Sequence, residues 1–272
     1  MRSIAFMNQK GGVGKTTSAA NIGACLASLG KKVLLIDIDP QANLTIHLGI
    51  NIHKIEYSIY HVINGKKDVL EVLKKTSISG LTLLPSSLDL ASAEIELVNT
   101  VGRETIVKFY LEKLIQKYDY VLVDCPPSMG MLTLNALTTV KEIFIPLQTE
   151  YFALQGVSKL LQTFEIVKKR LNDSLEITGI IPCMYDSRTK LSCAVLEKVK
   201  EYFEDKVFKT VIRKNVKLSE SPSHGMPVIT YAPDSNGAKD YQALTEEVIA
   251  QEEKMSNSDV GQTSELNEHA FR

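Results

Sequence analysis

The fold is decided by residues 9–17, which read Gln9-Lys10-Gly11-Gly12-Val13-Gly14-Lys15-Thr16-Thr17. The preceding residues, 3–8, form a short apolar run that predicts a buried β-strand. Residues 16–29 carry apolar side chains at helical spacing and are followed by Gly30, which predicts a helix that ends at this glycine. A strand, a glycine-bearing loop, a Lys-Thr pair and a helix in this order are typical of a loop that cradles phosphate groups.

The residue types of this loop suit a nucleoside triphosphate with Mg²⁺. Glycines let the backbone turn with its N–H groups inward, and the following helix adds the partial positive charge of its N-terminus. Lys15 has the reach to bind the β- and γ-phosphates, and the Thr16 hydroxyl is the expected Mg²⁺ ligand. We therefore predict that the nucleotide is bound by Gly11, Gly12, Val13, Gly14, Lys15, Thr16 and Thr17.

The loop departs from two common phosphate-binding motifs. The usual phosphate-loop pattern has glycine where Gln9 stands, and here an additional lysine, Lys10, follows it. A dinucleotide-binding loop is disfavoured, because Gly12 and Gly14 are followed by Lys-Thr rather than by a third glycine. A glycine-rich turn that binds nothing is the remaining alternative, and the order of strand, loop, Lys-Thr and helix argues against it.

Two further predicted strands end in a carboxylate. Asp37 is the last residue of the apolar run at 32–37, and Asp124 is the last residue of the run at 120–124. Both are therefore expected near Lys15, at the carboxyl ends of the strands of a parallel sheet. A carboxylate at this place holds Mg²⁺ through its water shell in related sites. Asp39 lies on the loop beyond Asp37 and is the expected residue to orient an attacking water. Each Asp could instead cap a helix or form a turn.

Apolar runs alternate with helical patterns along most of the chain. Near-continuous apolar strands between helices are typical of a parallel sheet that is covered on both faces. We therefore predict the α/β class and a three-layer P-loop NTPase fold with a mostly parallel sheet flanked by helices. The further predicted strands are 81–84, 143–147, 177–183 and 207–212, and the further predicted helices are 91–99, 103–117, 154–171, 191–203 and 238–254.

The pattern predicts a single domain over residues 1–254. No internal repeat and no Pro/Gly-rich linker divides this stretch. Beyond it the periodicity stops, and residues 255–272 (MSNSDVGQTSELNEHAFR) are mostly polar, which predicts a disordered tail.

The composition limits the classes of partner and the compartment. The chain has 31 Lys and Arg against 32 Asp and Glu, a net charge of −1, so attraction to nucleic acid or anionic lipid would need a local patch. No apolar run approaches the length of a membrane span. The four cysteines lack CxxC spacing, which is typical of free thiols in a reducing cytosol, and the five histidines lack metal-ligand spacing. These features predict a cytoplasmic protein.

Motifs along almost the whole chain resemble the ParA/Soj branch of the deviant Walker A ATPases. The similarity extends to about residue 254, and the joint occurrence of the motifs is far more specific than a phosphate loop alone. They are Lys10-Gly-Gly-Val-Gly-Lys15-Thr16-Thr17, Asp37-Ile-Asp39-Pro40-Gln41-Ala-Asn43, Val123-Asp124-Cys-Pro-Pro-Ser128, Glu150-Tyr151-Phe152-Ala153-Leu154-Gln155-Gly156, Asp186-Ser-Arg188-Thr189 and Asn215-Val-Lys217-Leu-Ser-Glu220-Ser-Pro222-Ser223-His-Gly225.

The resemblance implies an activity and its partners. It implies ATP and Mg²⁺ as cofactors, a homodimer that forms on ATP binding, weak ATP hydrolysis and non-specific binding of double-stranded DNA by the dimer. It also implies partitioning of a chromosome or plasmid together with a ParB/Spo0J-type centromere-binding protein that stimulates hydrolysis. The expected location is therefore the cytoplasm, in association with the nucleoid.

The resemblance also assigns roles to single residues. It implies that Lys10 is catalytic and reaches across the dimer to the phosphates of the partner subunit, which offsets the repulsion between two triphosphates. Lys15 and Asp39 are the other expected catalytic residues. Glu150 and Tyr151 are expected to contact the nucleotide near the dimer interface.

The expected DNA contacts are basic residues in the second half of the chain. The family's positions match Arg188 and Lys217, and residues 206–217 hold five basic residues, Arg213 and Lys214 among them, with no acidic one. The family usually has Pro-Arg-Asn before a Val-Arg pair, whereas Arg213-Lys214-Asn215 here precedes Val216-Lys217. Lysine at 217 keeps the charge but lacks the planar fork of arginine. A solvated basic surface without a DNA partner is the alternative.

Three other functions remain open at this point. A MinD-like membrane-cycling ATPase carries a C-terminal basic amphipathic helix, which residues 255–272 do not predict, so we expect no membrane partner. A metabolic P-loop enzyme, such as a ligase or an iron–sulfur cluster carrier, is a second alternative. A cluster carrier needs paired cysteines at a dimer interface, and Cys183 and Cys193 show no sign of being ligands. A nucleotide-gated scaffold that positions another cargo fits the sequence as well.

Overall fold

A single sheet organises the chain. The structure is a computed structural model that describes residues 1–150 and 155–269, with side chains for 1–150 and 157–253. Within these residues the strands are β1 (Arg2–Phe6), β2 (Val33–Asp37), β3 (Lys74–Lys75), β4 (Leu81–Leu84), β5 (Tyr120–Asp124), β6 (Glu142–Gln148), β7 (Glu176–Tyr185) and β8 (Ile212–Arg213).

The strands form one eight-stranded sheet in the order β3-β4-β2-β5-β1-β6-β7-β8. All neighbouring pairs are parallel except β3 with β4. Strands β1, β2 and β5 are buried at every residue, as expected for strands that helices cover on both faces. The predicted α/β class and mostly parallel sheet are therefore confirmed.

Helices cover both faces of the sheet, so the architecture has three layers. The described helices are α1 (Lys15–Ser28), α2 (Asn43–His47), α3 (Ile59–Ile63), α4 (Val69–Val72), α5 (Leu90–Glu96), α6 (Ile106–Ile115), α7 (Met131–Thr139), α8 (Gln155–Arg170), α9 (Lys190–Phe203), α10 (Val216–Glu220), α11 (Val228–Tyr231) and α12 (Asn236–His269). One apolar cluster packs α3, α5, α6, α7, α8 and α9 against one face of the sheet. A second cluster packs α1, α2, α11 and α12 against the other face.

Two sequence predictions of secondary structure need correction. The strand predicted at 207–212 is wrong over most of its length, because the backbone N–H groups of Lys209 and Thr210 donate to the Glu247 carboxylate of α12 instead of to a neighbouring strand. Val207 then makes a single bridge to Ile180, and strand geometry begins at Ile212. The helix α7 was not predicted, because its sequence is almost uniformly apolar or Thr and shows little periodicity.

The last helix, α12, extends past residue 254, where the helical pattern of the sequence ends. The boundary between a domain over 1–254 and a separate tail over 255–272 stays a prediction. None of the described helices combines the length and apolar character that crossing a bilayer requires.

A buried polar network attaches α12 to the amino ends of β1 and β6, the ends of these strands that lie away from the phosphate loop. The Arg2 guanidinium donates to both carboxylate oxygens of Glu142, at 2.8 and 2.7 Å, and to the backbone oxygen of Val248 at 2.6 Å. It also donates to Oε1 of Gln251 at 2.6 Å, and Gln251 donates in turn to the backbone oxygen of Thr178. Arg2 and Glu142 are nearly inaccessible to solvent, so removing either side chain would leave the charge of the other buried without a counter-charge.

Replacing Arg2 with methionine should lower the free energy of unfolding by about 3–5 kcal/mol, because the Glu142 carboxylate would stay buried without its partner. Urea denaturation followed by circular dichroism measures the loss. Lys168→Met is the matched control, since Lys168 pairs with Glu176 at 3.9 Å on the surface, and it should change stability by less than about 1 kcal/mol. An equal, small effect of both substitutions would contradict this account of the network.

Candidate functional site

The phosphate loop connects the end of β1 to the start of α1. Gly14 precedes the helix with φ +100°, a left-handed conformation that L side chains rarely adopt. A Cβ at Gly14 would lie 3.4 Å from Sγ of Cys183, so the loop also packs closely on β7. Lys15 is the first residue of α1 and is largely buried, so its charge is directed into the site rather than solvated outside it. The predicted order of strand, loop and helix is confirmed.

The carboxylates of Asp37 and Asp124 lie side by side at the carboxyl edge of the sheet. The two residues are register partners on the neighbouring parallel strands β2 and β5, and both are fully buried. Burial raises the pKa of Asp37 to about 7, against hydrogen bonds from Thr45. Burial and then the charge of Asp37 raise the pKa of Asp124 well above its usual range, against Thr16 and Lys15. Burial therefore disfavours the ionised forms of the pair, so a cation beside the phosphate loop is needed to stabilise both carboxylates.

Asp124 and Thr16 fit a Mg²⁺ site. The Thr16 hydroxyl donates to Oδ2 of Asp124 at 2.6 Å, which brings the two predicted metal residues together. Oδ1 of Asp124 is buried and has no hydrogen-bond partner in the described part of the chain. No group of three or more described His, Cys, Asp or Glu side chains is arranged to hold a metal alone. A magnesium ion here would therefore share its coordination among phosphate oxygens, water and these two residues.

The carboxylate of Asp37 accepts hydrogen bonds from the loop that follows β2. Its Oδ2 accepts hydrogen bonds from the backbone N–H and the hydroxyl of Thr45, at 2.8 and 2.7 Å. Its Oδ1 accepts from the backbone N–H of Asp39 at 3.2 Å. The structure thus places Asp37 next to the predicted metal site while assigning it bonds that hold Asp39 in place. Its role as a metal ligand stays a prediction.

Asp39 faces a cleft above the phosphate loop. Its Oδ1 accepts from the backbone N–H of Gln41 at 2.9 Å, which fixes the turn that leads into α2. The cleft has a volume of about 400 Å³. It is lined by residues of the phosphate loop (Gly11, Gly12, Gly14, Lys15, Thr16, Thr17), of the loop after β2 and α2 (Asp39, Gln41, Asn43, Ile46, His47), and by Pro127, Met184 and Pro222.

Lys10 is bonded at the surface to residues at and just after the end of β6. Its Nζ donates to Oε2 of Glu150 at 2.9 Å and to Oε1 of Gln148 at 2.6 Å. Both the lysine and the glutamate are about half exposed, at 45% and 59% of the side chain. Lys10 and Glu150, which were predicted separately as residues that contact nucleotide, are therefore in contact with each other. Their contacts with nucleotide stay predictions, and Tyr151 lies outside the described residues.

Two of the predicted DNA contacts, Arg188 and Arg213, differ in the burial of the carboxylate with which they pair. Arg188, Arg213 and Lys214 line one surface pocket beside Asp186. Arg188 lies 87% exposed and donates to both carboxylate oxygens of Asp186, at 2.9 and 2.8 Å. Arg213 instead donates to Asp240, a buried residue of α12, with its shortest bond at 2.6 Å. The pairing ties Arg213 to the packing of β8 on α12.

Lys217 lies on the neighbouring helix α10 and is held at the surface. Its Nζ donates to Oε2 of Glu220 at 2.8 Å and lies 5.6 Å from the centre of the Tyr231 ring. The Tyr231 hydroxyl donates to the same Glu220 oxygen at 3.0 Å. The basic stretch that the sequence shows without acidic residues is thus partly neutralised by carboxylates from outside it.

Comparison with known proteins identifies the family. A protein-family model described as an AAA domain matches residues 1–177. The chain is 52% identical over 247 residues to the sporulation initiation inhibitor protein Soj of Bacillus subtilis strain 168, a match that covers 91% of this chain and 98% of that protein. It is 48% identical over 251 residues to the chromosome-partitioning ATPase Soj of Treponema pallidum strain Nichols, covering 92% and 98%. The chain belongs to the ParA/Soj family of ATPases.

Solved structures agree with this family fold. Cobyrinic acid a,c-diamide synthase from Mycobacterium smegmatis, crystallised with an ATP analogue and magnesium, superimposes with a TM-score of 0.81 at 38% identity. The match covers 92% of this chain and 94% of that chain. The predicted P-loop NTPase fold and the predicted family are therefore confirmed.

Three residues of this ParA/Soj-family site were not predicted. Gln148 ends β6, donates to the backbone oxygen of Gly12 at 3.1 Å and accepts from Lys10. Thr45 donates to Asp37 and accepts from the backbone N–H of Ser86, so it connects α2 to the ends of two strands, β2 and β4. His47 lines the cleft. The position of Gln148 at a strand end was a usable signal, whereas Thr45 and His47 lie in a helix too short to show periodicity.

His47 is held neutral in this ParA/Soj-family chain. It is almost fully buried, which lowers its pKa to about 4 against a hydrogen bond with the backbone of Met226. Its Nε2 has no hydrogen-bond partner among the described atoms. Lys15 and Asp39 are the charged residues that share the cleft with it. Protonation of the imidazole would therefore leave a poorly solvated charge.

Replacing His47 with glutamine should flatten the loss of stability in acid. The folded pKa of about 4 lies below the ordinary 6.5, so the unfolded chain binds the extra proton, and stability present above pH 6.5 is lost as the pH falls. Between pH 7 and pH 5 the wild type should lose about 2 kcal/mol more than His47→Gln. Urea titrations measure the difference, with the exposed His53→Gln variant as control. Parallel profiles for wild type and His47→Gln would overturn the assignment.

Proposed function

We propose that this chain is a DNA-partitioning ATPase of the ParA/Soj type, which binds ATP with Mg²⁺, dimerises, and binds double-stranded DNA non-specifically as a dimer. Hydrolysis then returns it to a DNA-free form, and a ParB/Spo0J-type protein stimulates this step. The cargo is a chromosome or plasmid, and the protein associates with the nucleoid. The observation that carries the proposal is the exposed Lys10 next to the phosphate loop, whose following lysine, Lys15, is buried.

The residues inside the cleft suffice for phosphate binding but leave charge uncompensated. Lys15 and the N–H groups at the start of α1 face the phosphates, and Thr16 with Asp124 would hold Mg²⁺, which neutralises phosphate charge. Asp39, fixed by its bonds to the turn, orients the attacking water. With Asp37 and Asp124 buried beside it, a triphosphate gains from any further cation that reaches it.

Lys10 is the cation that a second copy of the chain would supply. In the single chain its ammonium group is bonded to Glu150 and Gln148 at the surface, so it does not serve its own site. An exposed ion pair contributes at most about 1 kcal/mol, so its release opposes a new contact only weakly. Two facing sites would each receive one lysine from the partner, which offsets the repulsion between the triphosphates.

Lys10→Ala should abolish ATP-induced dimers while binding of a fluorescent ATP analogue by the monomer persists. Light scattering with and without a slowly hydrolysed ATP analogue and Mg²⁺ measures the dimer. Lys113→Ala, at an exposed position on α6, is the control and should dimerise like the wild type. Normal dimers in Lys10→Ala would refute the role of this residue across the interface.

The basic surface for DNA is formed by Arg188, Lys214 and Lys217. In the ion pairs Arg188–Asp186 and Lys217–Glu220, the two partners are close in sequence and lie at the surface. Such pairs are weak, so a DNA phosphate can replace the carboxylate. Arg213 differs, because its partner Asp240 is buried. Its contact with DNA stays a prediction. A dimer that neutralises two or three phosphates per subunit should show a log–log salt slope of about −4 to −5.

Replacing both Arg188 and Lys217 with glutamate should abolish DNA retention in the presence of ATP, because it reverses two of the charges on this surface. Filter binding across a salt series, with ATP, ADP or no nucleotide, measures retention. Lys113→Glu with Lys117→Glu makes the same charge change at two exposed positions and should retain DNA. If the two double variants bind DNA equally well, this surface is not the DNA site.

A further inference from the structure

Two glycines from distant parts of the chain meet back to back beside the cleft. Gly49 follows α2, and Gly225 ends the 3₁₀ turn Ser221–His224. Both are left-handed, with φ +78° and +65°. A Cβ at Gly49 would lie 2.9 Å from the backbone oxygen of Gly225, and a Cβ at Gly225 would lie 2.6 Å from Cα of Gly49. Neither distance can be relieved by moving a flexible side chain, since backbone atoms stand opposite.

One side of this glycine contact belongs to the nucleotide site. The loop after β2 starts at Asp39, continues through α2 and reaches Gly49. It is bonded to Asp37 through Thr45 and lines the cleft at Gln41 and His47. A change in this loop as the cleft fills would therefore be passed along α2 to Gly49.

The other side belongs to the segment that carries Lys217. Residues 215–231, here termed the basic arm, are braced internally. Glu220 accepts hydrogen bonds from both Lys217 and Tyr231, and His224 stacks on Tyr231 with ring centres 4.6 Å apart. The arm is attached to α1 where the backbone N–H of Val228 donates to Oδ1 of Asn21 at 2.7 Å. The contacts within the arm therefore connect Lys217 to the turn that contains Gly225 and to the attachment on α1.

The two sides are joined by a second contact next to the glycines. The buried imidazole of His47 is hydrogen-bonded to the backbone of Met226, the residue after Gly225. Pro222, in the same turn, lines the nucleotide cleft. The loop and the basic arm therefore share one interface at the wall of the cleft.

We propose that Gly49 and Gly225 are positioning residues that couple the nucleotide site to the basic arm, so that ATP binding sets the position of Lys217 for DNA. This inference rests on the proposed function and adds to it the path by which the nucleotide state controls the DNA surface. The path needs glycine on both sides, because a methyl group on either residue separates the loop from the arm.

The test uses Gly49→Ala, Gly225→Ala and the matched control Gly30→Ala in the full chain. Gly30 has nearly the same left-handed geometry, φ +81°, yet a Cβ there would meet no atom within 4 Å. The control therefore carries the backbone strain of alanine without the clash. Double-stranded DNA retention is measured with and without a slowly hydrolysed ATP analogue, alongside affinity for a fluorescent ATP analogue and thermal unfolding.

Gly49→Ala and Gly225→Ala should each lose about tenfold of the ATP-dependent gain in DNA affinity, a typical size for coupling between two sites. Their affinity for the ATP analogue should stay close to that of Gly30→Ala, which keeps the wild-type gain. If both glycine variants keep the gain that Gly30→Ala shows, the coupling path is refuted while the proposed function stands.

Hydrogen exchange of the wild type tests the same path without DNA or a variant that must fold. Adding the slowly hydrolysed ATP analogue should change exchange in residues 39–50 and in the basic arm together. A change confined to residues 39–50, with the arm unaltered, would overturn the inference. Loss of ATP-dependent DNA retention in the wild type would instead contradict the proposed function, and the exchange experiment would still decide the coupling.

Discussion

Two buried carboxylates at the ends of adjacent strands set the constraint on which the rest of the structure depends. Asp37 and Asp124 are register partners with no exposed surface, and burial raises the pKa of both. Lys15, Thr16 and Thr45 balance part of this charge, while Oδ1 of Asp124 stays without a partner in the described chain. A triphosphate in the cleft would add negative charge, so cations such as Mg²⁺ stabilise both the phosphates and the ionised carboxylates.

This electrostatic need connects the phosphate loop to both surfaces of the proposed function. Toward a second subunit, Lys10 stands at the mouth of the site on a weak exposed ion pair. Toward DNA, the loop held by Asp37 continues into α2 and touches the basic arm at Gly49 and Gly225. The proposed path from the nucleotide site to DNA thus runs through contacts along the wall of the cleft, namely the hydrogen bond between Asp37 and Thr45 and the backbone contact between Gly49 and Gly225.

The centre of the site could be predicted from sequence because its chemistry uses consecutive residues. The loop from Gly11 to Thr17 is contiguous, and Asp37 and Asp124 end apolar runs that a parallel sheet brings to one edge. Thr16 and Asp124 are indeed hydrogen-bonded. The same reasoning placed most long helices and strands, since each of them buries one apolar face or run.

Features that depend on distant partners could not be predicted from sequence. The ion pair of Arg213 is one such feature, because its buried partner Asp240 lies on α12. The strand expected at 207–212 begins only at Ile212, because Glu247 of α12 binds the backbone N–H groups of Lys209 and Thr210. The contact between Gly49 and Gly225 joins residues far apart in the chain, and no local pattern marks it.

A crystal structure with Mg²⁺ and a slowly hydrolysed ATP analogue tests the central claim most directly. The account predicts a two-fold dimer in which Lys10 has left Glu150 and lies within hydrogen-bond distance of the phosphates bound by the partner subunit. A nucleotide-bound monomer in which Lys10 is still bonded to Glu150 and Gln148 would contradict it.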